Sequence, residues 1–143
     1  MGTKSKWKAG RLTFYNDAVV DGTVEEFSAV PTTSFVAMAG YGLSVIGCTA
    51  ASRFTLGAPV AGVTKDIVVG DGKGSSFAAT IRCSTVSKQI RIANPTTDMN
   101  GVVLTPGSTI PAYVQLRGVS TVLWALTSFT TGKGGASLTT ACT

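Results

Sequence analysis

The chain reads as an all-β protein, a single β-sandwich or jelly-roll-like domain, on three observations. Short runs rich in β-branched and aromatic residues are broken by Gly or Pro, from Phe54-Thr55-Leu56-Gly57-Ala58-Pro59 through Tyr113-Val114-Gln115-Leu116-Arg117-Gly118 to Trp124-Ala125-Leu126. Roughly ten such runs succeed one another at a spacing of about eight to twelve residues, the rhythm of sandwich strands. Seventeen glycines accompany 44% hydrophobic residues, which fits a turn-rich globular chain; a collagen would need a regular Gly period and a disordered linker far lower hydrophobicity. At 143 residues, one core is expected, since two would each have too little interior for their surface.

Residues 1–10 form a basic N-terminal arm, residues 11–131 the β-sandwich domain, and residues 132–143 a Gly/Ser/Thr-rich tail in which the apolar alternation stops. Within the domain, residues 11–15 alternate, with Leu12 and Phe14 on one face. Val19, Val20 and residues 24–30 flank Asp21-Gly22, a strong hairpin dipeptide. Residues 35–38 and 43–48 read as two buried strands around a Gly40-Tyr41-Gly42 turn. Residues 53–56, 66–69 and 77–83 follow, the last two joined by a hairpin tip at 70–74; residues 89–93 end at Asn94-Pro95. Met99-Asn100-Gly101 and Pro106-Gly107 bracket a short strand at 102–105. Residues 113–116 and 122–127 make the final hairpin, turned at 118–121.

The net charge of +5 comes from 12 basic and 7 acidic residues, and its distribution is uneven. Lys4, Lys6, Lys8 and Arg11 crowd the start of the chain, while Asp17, Asp21, Glu25 and Glu26 follow directly. Either the arm crosses onto an acidic neighbouring subunit or it is a solvated terminus. Arg53, Lys65, Arg82, Lys88, Arg91 and Arg117 are scattered without interleaved aromatics, so no nucleic-acid partner is expected.

Cys48, Cys83 and Cys142 are odd in number and widely spaced, with neither zinc nor thioredoxin spacing. Cys48 and Cys83 each end an apolar run and are expected as buried free thiols. The uncharged stretch between Glu26 and Arg53 falls short of a membrane span, which wants about twenty apolar residues in a row; Pro31, Thr32, Thr33 and Ser34 interrupt it and three glycines weaken a helix there. The start of the chain lacks the apolar core of a signal peptide, so synthesis in the cytoplasm is expected.

No cofactor or metal site and no catalytic machinery is expected. Histidine is absent, which removes the commonest base for a Ser or Cys nucleophile and the commonest metal ligand. The run Gly70-Asp71-Gly72-Lys73-Gly74-Ser75 lacks the phosphate-loop glycine, since Ile67 stands there, and Gly74 stands where a hydroxyl residue must follow the lysine. Val45 occupies the third glycine position of a dinucleotide fingerprint starting at Gly40. Glu25 and Glu26 are adjacent on a strand, so they point to opposite faces and cannot converge on one bond.

Three segments resemble tailed-bacteriophage virion structural proteins. Residues 54–69 show a strand, an Ala-Pro-x-Ala-Gly turn at 58–62 and a Lys-x-Ile strand; residues 114–126 show a Leu-x-Gly turn and a Trp strand; Lys6-Trp7-Lys8-Ala9-Gly10-Arg11-Leu12-Thr13-Phe14-Tyr15 resembles a virion-protein N-terminus. Among these proteins the likeness is to capsid decoration, or cement, proteins. It implies a non-enzymatic protein on the capsid surface of the virion that binds the major capsid protein, bridges or stabilises capsomers, and assembles as a homo-oligomer, with a trimer favoured. The chain is too short for the long helix and extended arm of a major shell subunit. Candidate capsid contacts are Lys4, Lys6, Trp7, Lys8 and Arg11, with Trp7 either an aromatic anchor or a cap on the sandwich edge. A tail-associated receptor- or glycan-binding module is the alternative; it would want exposed aromatics beside Asn, Asp or Gln, whereas Tyr41, Tyr113 and Trp124 suit core or interface positions.

Overall fold

A computed structural model describes residues 5–8, 11–14, 24–27, 34–47, 50–70, 77–84, 89–91, 99–107, 110–130 and 135–139. These hold strands and no helix: β1 Ser5–Lys8, β2 Arg11–Phe14, β3 Val24–Phe27, β4 Phe35–Met38, β5 Gly42–Ile46, β6 Ser52–Leu56, β7 Thr64–Val69, β8 Ala79–Cys83, β9 Gln89–Arg91, β10 Gly101–Thr105, β11 Ala112–Gly118, β12 Leu123–Phe129 and β13 Gly135–Thr139. The chain is all-β, with two mixed sheets and a separate antiparallel pair, β1–β2. One sheet runs β3-β5-β7-β11-β12-β9 and the other β13-β10-β8-β6-β4.

From β3 to β8 successive strands enter the two sheets alternately, so β3, β5 and β7 lie parallel in one and β4, β6 and β8 parallel in the other. Parallel neighbours cannot be joined by a tight turn, because the chain must travel back before it can run the same way again. Here the return run is a strand of the opposite sheet. The last strands close the assembly mostly in antiparallel fashion, with β10 on β8, β11 on β7, β12 on β11 and β13 on β10, while β9 lies parallel on β12.

Alternation decides which side chains go inside. In β5, β7, β8 and β11 every second residue is buried, the period of a pleated strand with one face on a core. Both sheets supply that core: Met38, Phe54, Leu56, Ile81, Val102 and Leu104 from one, Ile46, Ile67, Val69, Val114, Leu116 and Trp124 from the other. The rings of Phe27 on β3 and Phe54 on β6 meet edge to face with centroids 4.9 Å apart, so the two sheets touch across the interior. Trp124 is fully buried, and its Nε1 finds no acceptor among the described residues. In the final hairpin Leu116 faces Leu126 but Gln115 faces Ser128, leaving Thr127 as a bulge whose Oγ1 lies 3.1 Å from the Gln115 carbonyl oxygen.

Several expectations meet these facts differently. The hairpin at 113–127 is present as β11–β12. The turn at 40–42 and the tip at 70–74 do not make hairpins, since β4 and β5, and likewise β7 and β8, belong to different sheets; a glycine turn reverses the chain without deciding which sheet it re-enters. Within the stretch expected as a tail, Gly135–Thr139 is strand β13 against β10, where backbone pairing does not require apolar alternation. Cys83 is a buried thiol outside any disulfide, whereas Cys48, Cys142 and the Asp21-Gly22 turn lie outside the described residues. No helix among the described residues is long and apolar enough to cross a membrane.

Phe54→Ala is expected to cost about 3–5 kcal/mol through lost burial and the cavity left between the sheets, against about 1 kcal/mol for Val68→Ala on the outer face. Denaturant titration of the two variants reads the difference.

Candidate functional site

Three connections gather at one end of the two sheets. β4 and β6 finish there side by side, with Met38 level with Leu56, and β5 and β7 begin there, with Gly42 level with Lys65. β11 ends and β12 starts at the same place, since Arg117 is level with Thr64 and Gly118 with Trp124. Residues 39–41, 57–63 and 119–122 therefore form a single platform.

Backbone hydrogen bonds fasten it. Gly57 N donates to Met38 O at 2.8 Å, Gly62 N to Gly118 O at 2.9 Å and Gly118 N to Val63 O at 2.8 Å. The approach is so close that side chains are excluded at three positions. A Cβ at Gly118 would stand 2.1 Å from Val60 O, one at Gly57 2.7 Å from Gly40 N, and one at Gly40 2.8 Å from Ala58 O. Residues 39–42, 57–63 and 118–122 contain no charged residue. Yet Tyr41, Val60, Val119 and Val122 are about half exposed, at 52%, 57%, 53% and 45%. Apolar side chains held out on a hydrogen-bonded, uncharged backbone would lose little ordering entropy against a docking partner.

Beneath the platform sits a buried polar hub. Glu25 Oε1 accepts hydrogen bonds from Ala39 N at 3.0 Å, Ser44 Oγ at 2.5 Å and Lys65 Nζ at 2.9 Å. Lys65 Nζ donates further to Tyr41 O at 3.1 Å and to Ser44 Oγ at 2.5 Å, so all three ammonium protons have acceptors. Burial opposes ionisation of Glu25, but the bonds from Ser44 and Lys65, the Lys65 charge and the Ala39 amide outweigh it and hold its pKa below the ordinary value. Burial also pulls the Lys65 pKa down, with Glu25 and Asp66 offsetting part of the fall. A serine beside a lysine is the pairing of some hydrolases. Here Ser44 and Lys65 are both fully buried, so the group serves as a strut that ties the 39–41 turn to β3, β5 and β7.

On the outer face of the six-stranded sheet, Asp66 accepts from the Tyr113 hydroxyl and from Gln115 Nε2, each at 2.9 Å. Burial first, then the Asp66 contact, raises the Tyr113 pKa.

Of the residues expected at a capsid contact, Lys6, Trp7 and Lys8 lie in β1 and Arg11 opens β2, with Lys8 in register opposite Arg11 and Trp7 opposite Leu12. Lys4 lies outside the described residues. Glu25 is half-buried and Glu26 exposed, as their adjacency on a strand requires. Trp124 is in the core, whereas Tyr41 stands out on the platform. The platform and hub were not among the expected site residues. The pattern Lys65-x-Ile67-x-Val69 carried the signal for the hub: with Ile67 and Val69 inside, Lys65 must point inside too.

Fold and surface together define an all-β chain with one uncharged end that exposes apolar side chains. Comparison of the chain with protein-family models, with curated proteins and with solved structures gives no match.

Because the folded-state pKa of Glu25 is depressed, its contribution to stability is full above the ordinary carboxylate value and fades as pH falls through the folded value. Glu25→Gln should therefore be less stable than the parent at neutral pH and lose less stability between about pH 5 and pH 3, read by thermal melts across that range. Gly118→Ala should cost about 1–3 kcal/mol, because the loop carrying Val60 must move away; amide exchange at Gly62 and Val63 should accelerate in that variant.

Proposed function

We propose that the chain is a non-enzymatic virion structural protein, a capsid decoration or cement protein that binds the outer shell and bridges capsomers through its apolar platform. One observation carries this reading. The Ala-Pro-x-Ala-Gly turn at 58–62 and the turn after Leu116-Arg117-Gly118, in two of the segments that resemble virion proteins, are hydrogen-bonded to each other and build the exposed surface.

The mechanism is binding alone. A ligand that engages only the assembled lattice stabilises it by mass action, and copies joined as a homo-oligomer, a trimer in the favoured reading, add modest contacts into avidity. The β1–β2 hairpin, with Lys6, Lys8 and Arg11, supplies positive charge suited to an acidic shell surface, and Trp7 an aromatic anchor. The platform, having no charge to desolvate, supplies apolar area.

Purified chain is to be added to empty capsids and the particles imaged. Symmetric density over the shell at hundreds of copies is expected; a few copies at the tail would instead assign an adhesion role. Val60→Glu combined with Val119→Glu should abolish shell occupancy with an unchanged melting temperature, and full occupancy by that variant would remove the platform from the contact.

A further inference from the structure

The outer face of the five-stranded sheet gathers positive charge onto one aromatic ring. Register places Phe35 opposite Arg53 on β6, and Thr55, two residues further along β6, opposite Arg82 on β8. Arg82 lies across the intervening strand: its Nε donates to Thr55 Oγ1 at 3.1 Å, and its guanidinium carbon stands 3.6 Å from the centre of the Phe35 ring on β4. Arg82 and Phe35 thus meet above β6, their two side chains together spanning the two strand spacings, about 9–10 Å, between β8 and β4. Arg53 brings a second guanidinium to 5.7 Å from the same ring centre.

Two like charges over one ring repel each other, and the ring's negative face offsets only part of that. No carboxylate pairs with either arginine among the described residues, where the one ion pair is Lys65 with Glu25. The rest of this face, Ala37, Thr55, Thr80, Val103 and Thr105, is uncharged. With one face on Phe35 and Nε spent on Thr55, Arg82 keeps its two terminal nitrogens for a ligand in a fixed plane, the geometry that takes two oxygens of one oxyanion side by side.

We propose that Arg82 and Arg53, set by Phe35 and Thr55, form a recognition site for a carboxylate, a Glu or Asp side chain presented by a protein partner. Charge complementarity identifies the occupant as anionic. The limited extent of the charge, two arginines on an otherwise neutral face, suits one carboxyl group; a nucleic acid presents a phosphate at every step and calls for a longer basic track. The site lies on a different surface from the platform and does not depend on a virion role.

The test uses the full chain. A blocked peptide of consecutive glutamates is titrated while the side-chain Nε–H resonances of the arginines are followed by NMR, with the matching glutamine peptide, inorganic phosphate and an oligothymidylate as the other arms. Saturable shifts at Arg82 and Arg53 with the glutamate peptide and none with the glutamine peptide are expected. Arg82→Gln and Arg53→Gln should each weaken binding about tenfold or more, and Arg82→Lys should fail to restore it, since the planar fork is gone. These are outer-face positions, and an unchanged backbone amide spectrum certifies the fold of each variant. Absence of shifts at both arginines, or equal binding by the double variant, overturns the site. Tighter binding of phosphate or oligothymidylate at the same arginines overturns the carboxylate as its occupant.

Discussion

Parallel pairing is the constraint from which the other features of this molecule descend. A strand that is to lie parallel to its neighbour obliges the chain to return to its starting end, and each return between β3 and β8 is spent as a strand in the opposite sheet. Both sheets therefore grow together, each strand burying alternate residues against the other layer, and one core forms between them. The same geometry dictates where connections fall. The β4–β5 and β6–β7 connections emerge at one end, and the β11–β12 turn joins them because β11 runs antiparallel to β7. Glycines at 40, 57 and 118 let the backbones touch, which turns three loops into one surface.

The polar hub belongs to the same logic. A lysine on the inward face of β7 would be intolerable without partners, since an unpaired buried ammonium costs several kcal/mol. Its three acceptors come from β3, the turn before β5 and β5 itself, the very elements that parallel pairing has stacked beside it. An ion pair with its lysine buried adds little net stability compared with apolar packing, but it punishes any arrangement that separates its members. Register is what it secures.

Much of this was legible in the residues. Runs of β-branched and apolar residues between Gly and Pro breaks marked the strands seen as β5, β7, β11 and β12. The burial of Cys83 followed from its place at the end of an apolar run, and of the aromatics expected in a core or an interface Trp124 is the one found in the core. Pairing was not legible, because Gly40-Tyr41-Gly42 reverses the chain identically whether the next strand lies beside the last or across from it. The platform was half legible: its turn sequences stood out, but only pairing of β7 with β11 puts residue 62 against residue 118. The Arg82 site was hidden, since its parts sit on three strands far apart in the sequence.

The coil formed by β3 to β8 also governs how the chain can change length. Each turn of the coil rests on the turn before it through backbone pairing, so a whole extra turn could be accommodated with every inward residue still facing inward. A single inserted residue within β5 or β7 would instead send the remainder of that strand's apolar set to solvent and its polar set to the interior. Growth by a complete repeat keeps every inward face inward, whereas a single residue added inside β5 or β7 turns the rest of that strand over.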